Sequence, residues 1–308
     1  MIVTDLHQVT ARFGGEVRGH RAYIPGPGHS HEDRSLAVWL CETSPLGVMT
    51  HSFAGDPWPT CNDYIASGLG AERDYWRTAR RADPEEIRRL TEARRRSEAN
   101  ARAAAARRQA QARAICGAGQ DPVGTPVELH LNRRRLTLPA EIAGAALLYH
   151  PACPWELDTA HAQIAPLTCI TTGKVVGVHR TALAPDGTKL GRKMLGTAEG
   201  AAVMLDPVSA VTDTLHVAEG IETALAAREH YGLTPIWALG TSGAIGRLPV
   251  LPNVKHLVVV GENDAGASRK AVEAVGARWS AAGRAVEIVW PPEGRKDLND
   301  AVMGGASA

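Results

Sequence analysis

The chain has 308 residues, 44% hydrophobic and 22% charged, with a formal net charge of +1. That is the make-up of a globular protein with room for two or three modest domains, and it lacks the strong basic excess of a protein that binds nucleic acid by bulk charge. No run of about eighteen apolar residues exists to span a membrane, and the opening MIVTDLHQVTARFGG lacks the basic-then-apolar pattern of a secretion signal, so the expectation is a cytoplasmic protein.

The five cysteines, Cys41, Cys61, Cys116, Cys153 and Cys169, are odd in number and never spaced as CxxC. They predict reduced thiols, not a disulfide framework or a cysteine-rich zinc site. Residues 1–70 are rich in Gly, Pro, His and Trp, with apolar runs at Leu36–Leu40 and Gly47–His51. This predicts a small β-rich unit with tight turns at Pro25-Gly26-Pro27-Gly28.

Residues 71–118 read as an Arg/Ala-rich helical linker. Asp83-Pro84-Glu85-Glu86 offers an N-cap, a first-turn proline and first-turn acids. Pairs Glu85–Arg89, Glu92–Arg96 and Glu98–Arg102 support a helix to about Ile115, and Gly117-Ala118-Gly119 ends it. Ile87 and Leu90 are its larger apolar anchors. Between Glu72 and Arg113 thirteen arginines meet seven acids, while all six lysines lie beyond residue 170. Arg102, Arg107, Arg108 and Arg113 have few acidic neighbours, and contact with a nucleic-acid backbone is expected of them. The plainer alternative is a solvated spacer helix.

Residues 119–212 alternate strands with turns at Leu147–Tyr149, Leu167–Thr171, Val175–Thr181 and Ala202–Leu205, a mixed α+β subdomain. From 213 to 308 strand and helix alternate: strands at Leu215–Ala218, Pro235–Leu239, His256–Gly261 and Ala285–Trp290, and helices at Glu222–Tyr231, Ser268–Ala282 and Asp297–Met303. That rhythm specifies an α/β layer with a mostly parallel sheet between helices.

Functional groups of a parallel sheet gather at the carboxyl ends of its strands. Acids stand there three times: Glu219 in VAEGIETA, Glu262 and Asp264 in VVVGENDAGA, and Asp297 and Asp300 in KDLND. Converging carboxylates repel one another, and a divalent cation compensates them. Oxygen-only ligands suit Mg²⁺ or Mn²⁺.

These residues resemble the Toprim domain of bacterial primases, topoisomerases and related nucleases. YHPACPW at 149–155, VVGVHRTALAPDG at 175–187, RKMLG at 192–196 and VAEGIETALAA at 217–227 resemble primase-like Toprim proteins of phages, plasmids and integrated elements. The resemblance implies a Rossmann-like four-stranded sheet, with Glu219 as general acid/base and Lys296 beside a phosphate. It implies Glu262 and Asp264 as Mg²⁺ ligands, with Asp300 in support. Arg192 and Lys193 would meet an incoming triphosphate or the template backbone. The usual Asp-x-Asp stands here as Glu262-Asn263-Asp264, whose extra methylene moves the first carboxylate by about one carbon–carbon bond.

Relatives of this kind often begin with a zinc ribbon. The frame is present in IPGPGHSHEDRSLAV (24–38) and THSFAGDPW (50–58), but Ile24, Gly26, Ser52 and Asp56 occupy the cysteine positions. A degenerate ribbon without zinc is therefore expected. His29, His31 and His51 are read as fold-supporting or nucleic-acid-facing, with a metal site including Asp56 as the alternative; Trp39, Phe53 and Trp58 are core residues by default and base-stacking candidates otherwise.

The expected function is a primase-like, Mg²⁺-dependent nucleotidyltransferase that makes primers from nucleoside triphosphates on single-stranded DNA in mobile-element replication. The alternatives are a Toprim nuclease and a non-catalytic nucleic-acid-binding accessory. No GxxxxGK[ST] occurs, so a replication helicase would be a separate partner.

Overall fold

Period-two alternation near the front of the chain builds an antiparallel meander in the computed structural model, which describes residues 3–71, 84–264 and 266–305. The chain divides into two units between Ala106 and Arg107. In the first, helix α1 (Leu6–Phe13) precedes β1 (Glu16–Arg18), β2 (Arg21–Ile24), β3 (Leu36–Leu40) and β4 (Val48–Ser52), which pair in chain order, and helix α2 (Trp58–Gly68) follows. Ala22, Ile24, Leu36, Val38 and Val48 face inward and pack with Leu6 and Val9 of α1 and Cys61 and Ile65 of α2.

Helix α3 spans Pro84–Gly117. The N-cap expected at Asp83 lies outside the described residues. Leu90 is buried, whereas Ile87 is 40% exposed. Arg89 reaches Glu85 at 2.9 Å and Arg102 reaches Glu98 at 3.5 Å. Toward its end Ala112 and Ile115 bury against Ala162, Ile164 and Val178 of the second unit.

The second unit adds helix α4 (Pro126–Arg133), capped by the Thr125 hydroxyl. Strands β5 (Leu148–Trp155), β6 (Asp158–Cys169), β7 (Val175–Leu183) and β8 (Lys189–Gly196) are antiparallel. Then come β9 (Ala201–Met204), β10 (Thr214–Ala218), α5 (Ile221–Tyr231), β11 (Ile236–Ala238), α6 (Ser242–Gly246), β12 (His256–Val260), α7 (Ala267–Ala281), β13 (Ala285–Val289) and α8 (Leu298–Gly304). Strands β13-β12-β10-β11 form a parallel sheet in that order. Antiparallel β9 joins its β11 edge to the end of β6. One nine-stranded sheet therefore runs through both the mixed region and the α/β region.

Both faces of the parallel part are covered, as such sheets require. Ala218, Ile236, Ala238 and Val260 pack under α5 and α8, with Leu131, Leu136, Ile142 and Leu147. Leu215, Val217, Trp237, Leu257 and Val259 pack under α6 and α7, with Ile245, Val275 and Trp279. No described helix is long and apolar enough to cross a membrane.

Candidate active site

Each parallel strand runs out at one edge, and the residues just past those ends face one another. Glu219 follows β10, immediately before α5. Burial lifts its carboxyl above the ordinary value; Arg192 and Lys296 oppose that rise and Asp264 adds to it, while the Ser242 amide at the start of α6 also stabilises the charge. Glu262 follows β12. Burial first, then repulsion from Glu219 and Asp297, pushes its carboxyl up to about 7. The Thr223 hydroxyl donates to it at 3.4 Å. Two glutamates from neighbouring strands thus repel each other at a half-buried edge.

Asp264 and Asp300 stand at the same edge with backbone duties. Asp264 accepts from the Gly266 and Ser268 amides at 3.0 Å, holding the start of α7. Asp297 caps α8, accepting from the Asp300 amide at 2.8 Å, while Asp300 accepts from the Lys296 amide at 2.9 Å. Among the described residues no group of three or more His, Cys, Asp or Glu side chains is placed to hold one metal ion. The mutual repulsion of Glu219 and Glu262, and their oxygen-only donor set, nevertheless fit Mg²⁺, which commonly binds one or two carboxylates, retains waters and completes its shell on substrate phosphates.

Arg192 and Lys193 part company. Alternation on β8 places them on opposite faces. Arg192 lies in electrostatic reach of Glu219. Lys193 donates to Glu156 at 2.7 Å and stands 5.1 Å from the Trp155 ring centre, beside Arg180.

A buried cluster beside this edge was not anticipated. Glu222, in the first turn of α5, accepts from the Lys189 ammonium at 2.6 Å, and His130 Nε2 stands 3.5 Å away. Burial opposes its charge, but His130 and Lys189 outweigh burial and hold the carboxyl well below the usual range. His179 is buried beside them, and burial pushes its imidazole down to about 4. Lys189 reaches this cluster because of a β-bulge. Ala182 pairs with Gly191 but Leu183 pairs with Lys189, so Leu190 is an extra residue. The insertion reverses parity and puts Lys189 on the face of Arg192, over the first turn of α5. The sequence signal was Glu222 three residues after Glu219, in the first turn of the following helix; the bulge has no comparable signal.

Arg102, Arg107, Arg108 and Arg113 are exposed along α3, and Arg113 borders a surface cleft with Cys116, Lys174 and Val175. In the first unit three of the four cysteine-replacing positions meet around one imidazole. His29 Nδ1 lies 2.9 Å from Asp33 and its Nε2 3.3 Å from Asp56. Ser52 donates to Asp56 at 2.7 Å. A Cβ on Gly26 would fall 2.8 Å from His29 Nδ1 and 3.0 Å from Asp56, so glycine is needed there. Ile24, the fourth position, is buried in the core. Trp39 lies under Arg21 at 5.0 Å, whereas Phe53 and Trp58 are 61% and 55% exposed; His51 meets Phe53 edge-on at 4.8 Å.

Comparison with known proteins adds two family matches. Residues 214–307 match the Toprim domain, and residues 106–205 match a domain of unknown function, DUF7146. No curated protein matches the chain. Among solved structures, the primase fragment of the bacteriophage T7 primase-helicase protein is similar at 18% identity and a TM-score of 0.39, covering 53% of this chain and 64% of that one. The E. coli primase catalytic core gives 15% and 0.41, covering 63% and 74%. A DNA primase domain from Pseudomonas aeruginosa gives 19% and 0.35, covering 52% of each. The chain thus spans just under two thirds of the T7 fragment's length.

Proposed function

We propose, from the match of residues 214–307 to the Toprim domain, that the protein is a primase-like nucleotidyltransferase that joins nucleoside triphosphates on single-stranded DNA with Mg²⁺. The observation that carries this reading is the Glu219–Glu262 pair, raised by burial and flanked by the cations Arg192 and Lys296.

Glu219 is suited to take a proton from the attacking 3′-hydroxyl, because its raised proton affinity brings it nearer to neutral pH while it remains a base. Glu262, with Asp264 beside it, would hold Mg²⁺, which when bound neutralises and polarises the reacting phosphate. Arg192 and Lys296 place positive charge on the phosphate oxygens without being consumed. The arginines Arg102, Arg107, Arg108 and Arg113 supply further contacts to the strand.

The test is incubation with single-stranded DNA, labelled nucleotides and Mg²⁺ or Mn²⁺, beside Glu219→Gln. New oligonucleotides that fall by at least about a hundredfold in the variant are expected. Shortened DNA made without nucleotides would replace synthesis by hydrolysis at the same edge. DNA binding equal in both proteins, with no product, would leave only an accessory role beside a separate helicase.

A further inference from the structure

A cleft of about 690 Å³ opens beside the two glutamates, lined by Asn263, Arg269, Trp290, Glu293, Arg295 and Lys296, with Pro291 and Gly294 completing its rim. Three of these are cations, and none of the three makes an ion pair among the described residues. Elsewhere in this unit Lys189 is paired with Glu222, and Arg228 with Asp206 and Glu141. With three cations against the single carboxylate of Glu293, the cleft lining carries a net positive charge.

Its cations are also held in place. The Arg269 guanidinium lies 4.9 Å from the Trp290 ring centre, in a cation–π stack that fixes the plane of its donors. Trp290 is seated in turn against Gly261, where a Cβ would stand 2.5 Å from the indole. The Arg295 guanidinium lies against Gly304 of α8, in space that a side chain there would fill. Asn263 ties the cationic loop to the strand end. Its side-chain amide donates to the Arg295 carbonyl at 2.8 Å, and its backbone amide donates to the Lys296 carbonyl at 2.7 Å. The middle residue of the Glu262-Asn263-Asp264 run thus positions the cleft.

Lys296 belongs to both places, since it lines the cleft and acts electrostatically on Glu219 and Glu262. Arg192 approaches Glu219 from β8. Positive charge therefore continues outward from the carboxylates, which suits a polyanion with one phosphate at the acids and the next beyond them. Resting on the reading of the Glu219–Glu262 edge as the reacting centre, we propose that the Arg269–Arg295–Lys296 cleft is a second phosphate subsite, which takes the phosphate neighbouring the one that reacts. That phosphate belongs either to the nucleic-acid strand or to the outer part of a nucleoside triphosphate.

The test uses the full chain and needs no turnover. Binding of a fluorescein-labelled oligothymidylate is followed by anisotropy over a range of salt, and binding of Mg·ATP and of tripolyphosphate by calorimetry. Arg269→Gln with Arg295→Gln is expected to weaken at least one of these about tenfold. If the strand is the ligand, the salt slope also falls by roughly 0.7 for each lost contact. Glu293→Gln, which removes the cleft's own negative charge, is expected to tighten the same interaction, a gain that misfolding cannot produce. Weakening with the oligonucleotide alone assigns the subsite to the strand; weakening with ATP and tripolyphosphate assigns it to the triphosphate. Unchanged affinity for all three probes, or a wild-type protein that binds none of them, overturns the subsite. Absent primer synthesis with these binding effects intact would instead remove the proposed reaction and keep the subsite.

Discussion

Glu219, just before α5, and Glu222, in its first turn, are both substantially buried, yet their carboxyl groups are shifted in opposite directions. Desolvation leads in both cases and would raise both. Glu222 has Lys189 at 2.6 Å and His130 at 3.5 Å, which reverse the effect. Glu219 has only the more distant influence of Arg192 and Lys296, set against Asp264, and it remains raised. The protein neutralises one acid within itself and leaves the other, with Glu262, uncompensated. An internally satisfied carboxylate holds a fold together; an unsatisfied pair awaits a cation or proton from outside.

Breaking the satisfied side has the largest expected effect. Glu222→Ala would leave the Lys189 ammonium in a shielded pocket without its counter-charge, and loss of one partner of such a pair costs about 3–5 kcal/mol. The double variant Glu222→Met with Lys189→Met should recover most of this, because no buried charge is then left alone. Denaturant unfolding with unchanged slope checks both. A single variant as stable as wild type would mean that the pair is effectively solvated.

His179 sharpens the same side through pH. It faces Glu222, which favours its charge, and Arg192, Lys189 and Arg180, which oppose it, but burial dominates and lowers it from 6.5 to about 4. The unfolded chain therefore takes up this proton first as pH falls. The stabilisation is complete above about pH 6.5 and is lost progressively toward pH 4, by on the order of 3 kcal/mol. His179→Gln should flatten that part of the stability profile.

The difference between the two sides also explains what could be read in advance. The α/β rhythm from Leu215 onward was legible because β12 is apolar from Leu257 to Val260 and β10 is apolar but for Thr214 and His216, and Gly220 and Gly261 mark where each strand gives way to an acid. Arg192 was legible as the basic residue that opens RKMLG, but not its separation from Lys193, which follows from strand parity. Lys189 was not legible, since only the extra residue Leu190 turns it toward Glu222. The helices α1 and α2 also went unread: α1 shows its period in only three apolar residues, Leu6, Val9 and Phe13, Pro and polar residues dilute that of α2, and packing against the meander supplies the stability that such short helices lack alone. The Asp33–His29–Asp56 contacts depend on two loops meeting, which no spacing rule encodes.

On the unsatisfied side the expected sign reverses. Glu262, raised from 4.5 to about 7, is protonated in the fold while the unfolded carboxyl is already ionised, so its cost appears as pH rises from about 4.5 and is complete above about 7. Glu262→Gln should make the metal-free protein more stable than wild type by about 1–2 kcal/mol at pH 8, after discounting for partial exposure, and by nothing near pH 4.5. Saturating Mg²⁺ should raise the melting temperature of wild type more than that of the variant. A variant less stable than wild type at pH 8 would show that the repulsion is already relieved inside the protein.

The smallest effect separates two neighbours on β8. Lys193 is 43% exposed and its partner Glu156 64%, so their pair contributes about 0–1 kcal/mol, with the Trp155 contact adding little in water. Lys193→Ala should leave the melting temperature within a few degrees of wild type and change triphosphate KM by no more than about threefold. Arg192→Ala, on the face of Glu219, should raise that KM by about tenfold or more with little change in stability, because a cation held near the reacting phosphate loses both charge and hydrogen bonds when truncated. Equal losses from the two substitutions would mean that both faces of the strand meet substrate, and that the carboxylate edge extends around β8 instead of ending at Arg192.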